Sequence, residues 1–280
     1  MTKPCVAVAT DFSARADRAI DRARLLQQQL DADLCIIHAT NLAVDESPDS
    51  AALDRKMHAA TGLAGAEDGV SFVYPSGMPP NAIAQACEER NASVLVLGPA
   101  RYNTLGDYFL GTAVDYVLRN TSRPVLIVKN RAHRPYAQIV AGTDFSPGSA
   151  HAILEAARMF PNAKIHVVHG WQVPFQAFNK DAYVADEVER EQQTQLEAFV
   201  SELVERETAL ADCTFELVRG GTFEAISQGL ALDPGALVVL GSHGTSGFKQ
   251  ATLGSVTSDL LRFLETDTLV VNAKQAPSPA

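Results

Sequence analysis

What the chain lacks narrows its chemistry first. Its four cysteines, Cys5, Cys35, Cys87 and Cys213, are widely spaced and form no CxxC pair, so neither a zinc site nor a redox pair is signalled. Cys5 and Cys35 lie in apolar runs, as small core residues do, and the pattern suits a reducing cytoplasm. Basic residues are in the minority, 23 Lys and Arg against 33 Asp and Glu. The net charge of −10 leaves no basic stripe of the kind that binding to a nucleic-acid backbone needs. No apolar run approaches the length of a transmembrane helix. The opening "MTKPCVAVATDFS" enters a strand-like run at once, without the apolar core and cleavage site of a signal peptide. No Walker GK[ST] occurs. The expectation is a cytoplasmic protein with no nucleic-acid partner and no membrane association.

What is present is a repeat. "VAVATDFS" at 6–13 returns as "IVAGTDFS" at 139–146, and "VLVLGPARYNTLGDYFLGT" at 94–112 returns as "LVVLGSHGTSGFKQATLGS" at 237–255. "RPVLIVKN" at 123–130 matches "TDTLVVNA" at 266–273, and "IHAT" at 37–40 matches "VHGW" at 168–171. Two copies of this length are too few and too large for a solenoid. They read as duplicated domains, 1–132 and 135–275, joined near "NRAHRPYA".

Within each copy short apolar runs alternate with segments of helical period. In the second copy the strand candidates are 138–142, 164–169, 214–218, 236–241 and 267–271. Helices are expected at 147–160, about 184–210, 222–232 and 255–264. Ser146 as N-cap and Pro147 at the first helical position are start signals for the first of these. Strands alternating with helices predict an α/β fold, a doubly wound parallel sheet in each copy with helices on both faces. In such sheets ligands sit at the carboxyl ends of strands, where strand order reverses. Two motifs follow strands directly: "TDFS" with Asp144, and the glycine-punctuated stretch from Gly241 to Ser255.

That stretch reads G-x2-G-x9-G-S, with Gly241, Gly244, Gly254 and Ser255. Gly241 lets the chain turn off its strand, and Gly244 admits positive φ and close backbone approach to a ligand. Gly254 and Ser255 open a helix whose N–H groups and positive dipole end suit phosphate oxygens. A plain connecting loop, with Ser255 as a simple cap, is the competing reading. For Asp144 the competitor is an Asx-type cap. His169 reads first as a satisfied structural histidine. His166 and His169 make a poor metal pair, because residues three apart on a strand face opposite ways.

On these residues both copies resemble the universal stress protein domain, over essentially the whole chain. The resemblance rests on "TDFS", the histidine at the second strand, and the glycine loop. It implies a Rossmann-like fold of the adenine-nucleotide alpha hydrolase kind and ATP, with or without Mg, as the bound cofactor. It places Thr143 and Asp144 beside the adenosine, with Asp144 near the ribose, and Gly170 at the adenine pocket. Gly241, His243, Gly244, Gly254, Ser255 and Val256 would wrap the phosphates, assisted by Thr257. It also implies that the final strands of two such domains pair antiparallel, so that "VLIV" and "TLVV" form an internal pseudo-dimer; two chains associating further as a homodimer is a separate expectation.

The first copy departs from the pattern. "GPARYNTLGDYFLGT" keeps Gly98, Gly111 and Thr112, but Arg101 takes the second glycine position and Pro99 removes a donor. The arginine either fills the crevice or clamps a phosphate. The leading expectation is an ATP-binding regulatory protein of the stress response, with nucleotide held in the second copy. No catalytic residue and no metal ligand is identified, so enzymatic turnover amounts at most to slow ATP hydrolysis. The remaining class is a nucleotide-free interaction module. The aromatics of "VPFQAFNKDAY" at 173–183 read as loop packing, a lid or a partner surface.

Overall fold

The computed structural model describes residues 3–43, 46, 48–63, 69–99, 112–173, 182–242 and 253–272. The first copy runs β1 (Cys5–Ala9), α1 (Ala14–Gln29), β2 (Asp33–Ile37), α2 (Ser50–Thr61), β3 (Val70–Val73), α3 (Pro79–Glu89), β4 (Val94–Leu97), α4 (Thr112–Asn120) and β5 (Val125–Ile127). The second repeats that order as β6 (Gln138–Gly142), α5 (Pro147–Met159), β7 (Lys164–Trp171), α6 (Ala182–Arg206), β8 (Thr214–Arg219), α7 (Thr222–Leu232), β9 (Leu237–Gly241), α8 (Ser255–Phe263) and β10 (Thr268–Val271).

The strands form one sheet in the order β3-β2-β1-β4-β5-β10-β9-β6-β7-β8. All neighbours within a copy are parallel, as the continuous apolar runs "VLVL" and "LVVL" predict for strands covered on both faces. Among the described residues the single antiparallel pair joins the copies, with Val125 opposite Val270, Leu126 opposite Leu269 and Ile127 opposite Thr268. "VLIV" and "TLVV" therefore meet as expected, and each covers what would otherwise be an open sheet edge. On one face a single core runs across both copies, joining Leu26 of α1 to Ile153 of α5. On the other face the core is in two parts, one of which sets Leu261 of α8 against Val114, Val117 and Leu118 of α4.

The copies also exchange caps. Lys129, just past β5, donates from Nζ to the carbonyls of Leu261, at 2.6 Å, and Leu264, at the end of α8. Asn272, just past β10, donates from Nδ2 to the carbonyls of Leu118 at 3.2 Å and Thr121 at 2.5 Å, at the end of α4. Lys129 and Asn272 occupy equivalent positions in the repeat, and so do the carbonyls they satisfy. Each copy thus closes the orphan helix end of the other.

Helix ends otherwise follow the local signals. Ser13 and Ser146 accept from the N–H groups of Ala16 and Ser149. Gly62, at φ 68°, ends α2. The expected helix at 184–210 is shorter: α6 stops at Arg206, Glu207 is extended, and a 3-10 turn from Thr208 to Asp212 buries Leu210. No described helix is long and apolar enough to cross a membrane.

One core histidine makes a pH prediction. His151 on α5 is buried and its Nε2 has no hydrogen-bond partner among the described residues. Burial lowers its pKa below the usual 6.5; Glu155 opposes the shift, and Arg158 and Arg206 add to it. The unfolded chain then binds a proton that the folded chain refuses, so stability contributed above pH 6.5 is lost as pH falls through that value. Urea unfolding between pH 7 and 5 is expected to show a shallower decline for His151→Gln than for wild type. Parallel declines would remove His151 as a cause.

Candidate functional site

Strand order reverses at β6, which has β9 on one side and β7 on the other. Past its carboxyl end the chain makes a tight turn braced by hydrogen bonds. The Thr143 N–H extends the ladder to the Val168 carbonyl at 3.0 Å. Thr143 Oγ1 accepts from the Phe145 N–H at 3.0 Å and lies 2.9 Å from Ser149 Oγ. Asp144 Oδ1 accepts from the Ser146 N–H at 3.2 Å and the Ser146 hydroxyl at 2.5 Å. The carboxylate is thereby fixed at the mouth of the strand and helps start α5, the Asx role that competed with a ligand role.

Phe145 pays for this turn with φ of 59°, in the left-handed region that non-glycine residues avoid. Its ring stacks on His169, with centroids 4.2 Å apart, and meets Phe199 edge-on at 5.4 Å. His169 Nδ1 lies 2.8 Å from the Thr143 carbonyl, which only accepts, so Nδ1 carries the proton; Nε2 lies 2.9 Å from Gln192 Oε1. The first copy repeats the device. Phe12 has φ of 61° and packs on His38 with centroids 4.3 Å apart and the rings tilted by 48°, and His38 Nδ1 meets the Thr10 carbonyl at 2.9 Å. In both copies, then, the histidine is a buttress of the strand-end turn. His166 faces the other way, onto Thr214 and Glu216, and no metal-binding cluster occurs among the described residues.

Phe145, Ser149 and Gln192 belong to this assembly and were not singled out from the sequence. The phenylalanine was legible, since "TDF" stands in both copies. Gln192 carried no signal, because its position depends on how α6 packs.

The glycines owe their places to close approach. An ideal Cβ on Gly241 would lie 3.1 Å from the backbone carbonyl of Gly148 in the first turn of α5. Gly98 meets Arg15 in the same way in the first copy, at 3.1 Å. Gly241 is thus set by helix-on-strand packing, rather than by a sharp turn as its position suggested. Gly170 lies inside β7, and a Cβ there would sit 2.6 Å from the Gly221 carbonyl. The first copy has Ala39 at this position, beyond the end of its shorter β2. Gly170→Ala is expected to cost about 1–3 kcal/mol by overpacking against backbone that has little room to move. A urea midpoint equal to wild type would contradict the close approach.

Beyond β9 the Ser242 N–H bonds the Val271 carbonyl at 2.9 Å, and the Ser242 carbonyl accepts from the Gly254 N–H at 2.9 Å. The two ends of the glycine stretch are therefore pinned together at the sheet. His243, Gly244 and Arg101 lie outside the described residues. Gly254 is the N-cap of α8 and supplies no side-chain cap. Among the described residues no acceptor pairs with the N–H groups of Ser255 and Val256, and both side chains are exposed. The helix therefore presents a positive end to the crevice. Thr257 is buried, and its hydroxyl donates to the Gly241 carbonyl at 2.9 Å. It ties α8 to β9. The structure thus gathers Thr143, Asp144, Gly241, Gly254, Ser255 and Val256 around the ends of two adjacent strands, with Gly170 one strand away.

Comparison with known proteins agrees with this architecture. The model of the universal stress protein family matches residues 5–129 and again residues 135–272. No curated protein matches the chain. Among solved structures, a universal stress protein of Pseudomonas aeruginosa UCBPP-PA14 superposes with a TM-score of 0.67 at 16% identity, over 96% of this chain and 93% of that one. One from Archaeoglobus fulgidus gives 0.62 at 16% identity, over 97% of this chain and 99% of that one. A shorter universal stress protein, solved in complex with cAMP, covers 46% of this chain and 98% of its own at 26% identity, with a TM-score of 0.38. The chain belongs to the universal stress protein family and carries two of its domains in tandem.

Proposed function

We propose that the chain is an adenine-nucleotide-binding regulatory protein of the stress response, acting in the cytoplasm, and that the second copy holds the nucleotide. One observation carries this reading: the N-terminus of α8, exposed and without a cap among the described residues, opens at the switch point beside a fixed Asp144. These groups fit a nucleotide. The first-turn N–H groups of α8 and the Ser255 hydroxyl suit phosphate oxygens, and the Asp144 carboxylate suits ribose hydroxyls. Val256 and the residues of the glycine stretch complete the phosphate side, with Gly170 toward the base. ATP, with or without Mg, is the nucleotide in this reading, and slow hydrolysis is the most that its residues support.

The first copy keeps the scaffold but not the loop, since Arg101 stands where the second glycine belongs. Calorimetric titration with ATP is expected to give one strong site per chain. Release of bound nucleotide from purified protein, identified by mass, checks the same reading independently. Two equal sites would end the asymmetry. No binding and no released nucleotide would make the chain a nucleotide-free interaction module.

A further inference from the structure

The third and fourth helices of the two copies differ. In the first copy α3 packs along α4. In the second, a groove of about 390 Å³ lies between the first turn of α7 and the length of α8. Leu260 forms part of its floor. Three large apolar side chains stand around it: Phe223 is 46% exposed, Val256 52% and Phe263 61%. Scattered exposed apolar residues are ordinary, but three converging on one concavity call for a reason.

The duplication supplies an internal control. Helices α7 and α8 each begin 143 positions after α3 and α4. At that offset Phe223, Val256 and Phe263 stand where the first copy has Pro80, Ala113 and Asn120. The same fold forms without them, so the fold does not require them. The rim has changed as well, with Glu224 in place of Asn81 and Asp259 in place of Tyr116. The first copy exposes Met78 and Tyr116 in this region, but has no acid at either rim position. The charged side chains lining the second-copy groove, Glu224 and Asp259, are both negative. Arg262 reaches Asp259 only at 3.9 Å, a surface pair of little energetic weight.

We propose that the α7–α8 groove docks a short cationic amphipathic segment of a partner protein. Its apolar side chains seat between Phe223 and Phe263, and its Lys or Arg residues face Glu224 and Asp259. An apolar helix face laid into a hydrophobic groove is a common recognition mode, and the acidic rim sets both encounter and register. A chain of net charge −10 favours that approach at long range. Apart from Val256, the groove shares no residue with the proposed nucleotide site, so the two readings stand or fall separately.

The probe is a short fluorescent peptide of leucine and lysine, with leucines at helical spacing, titrated onto the full chain at physiological salt. Its affinity is expected to exceed that of a scrambled peptide of the same composition by about tenfold. The double variant Phe223→Ser, Phe263→Asn should lose that advantage with an unchanged circular-dichroism melt. Both side chains are exposed, and asparagine is the first copy's own residue. Should the double variant fail to fold, the pair Glu224→Lys, Asp259→Lys tests the rim, and should reverse the preference toward a leucine and glutamate peptide. Equal affinity for the scrambled peptide, or for the folded phenylalanine variant, means general charge attraction and overturns the proposal. A wild-type dimer that becomes a monomer in the variant, seen by sedimentation, overturns it in favour of a second copy of this chain.

Discussion

Asp267→Ala is expected to destabilise the chain by about 3–5 kcal/mol, the usual cost of removing one partner from a buried ion pair. Asp267 lies just before β10 and is 2% exposed. Oδ1 accepts from the N–H groups of Lys129 at 2.8 Å and Asn130 at 2.9 Å. Oδ2 accepts from the Tyr136 hydroxyl at 2.6 Å and lies 3.5 Å from Arg22 Nη2. Arg22, on α1, is 5% exposed, stacks over the Tyr136 ring at 3.9 Å and donates to the Arg134 carbonyl at 2.8 Å. Burial, reinforced by Asp267, holds the Tyr136 phenol well above its ordinary pKa, so it remains a donor throughout the working range. Alanine would leave a buried guanidinium, a phenol and two N–H groups without their acceptor. Asp267→Asn keeps an oxygen for the N–H groups but removes the charge that Arg22 faces, so an intermediate loss is expected. The double variant Arg22→Met, Asp267→Leu should lose much less than the sum of its parts, because neither charge is then left alone. Urea unfolding of wild type, Asp267→Ala, Asp267→Asn, the double variant and its two single variants makes the comparison. A loss below about 1 kcal/mol for Asp267→Ala would mean that water reaches the cluster.

This cluster marks a limit of what the repeat could disclose. The alternation of strands and helices and most helix bounds were legible, because period, caps and internal similarity all pointed the same way. The antiparallel seam, by contrast, rested on the family resemblance, and the adjacency of β6 and β9 was not fixed by the sequence. "VLIV" and "TLVV" are matching apolar strands that would otherwise leave two edges bare, and they pair. The junction cluster breaks the symmetry instead. Where the second copy has Asp267, the first has Pro124, and the counterpart of Arg22 is Glu155. A residue present in one copy only looks like drift until the fold brings α1, the linker and β10 together over more than a hundred positions. At the candidate site the order is reversed. Asp144, His169 and the glycines were all visible, but their reasons were not. Gly241 and Gly170 are set by backbone approaches of 3.1 and 2.6 Å that only packing reveals. His169 supports a strained Phe145 whose φ no sequence pattern prints.

Ser255→Asp separates a phosphate cradle from a simple helix start. Ser255 is the first residue of α8, exposed, behind a glycine that offers no side-chain cap. A carboxylate in the first turn favours the helix itself by about 0.3–1 kcal/mol, through the macrodipole. Stability should therefore hold or rise slightly. A bound phosphate meets the opposite effect. Two unit charges about 4 Å apart repel by roughly 1 kcal/mol in bulk water and about 4 kcal/mol at the effective dielectric of a protein surface. These limits correspond to losses of about fivefold and about a thousandfold in ATP affinity. Ser255→Ala removes only one hydroxyl donor, so roughly 0.5–1.5 kcal/mol is expected, with no change in charge. The two effects also differ in salt, since the aspartate penalty is screened as ionic strength rises and the alanine penalty much less. ATP titration of wild type, Ser255→Ala and Ser255→Asp at two salt concentrations, beside thermal melts, reads all of this out. If Ser255→Asp melts no lower than wild type and binds ATP just as tightly, no phosphate sits at the N-terminus of α8. The crevice then takes its nucleotide elsewhere or takes none. If affinity falls while the melt holds, the opposite signs of the two effects leave a phosphate at that helix end as their common cause.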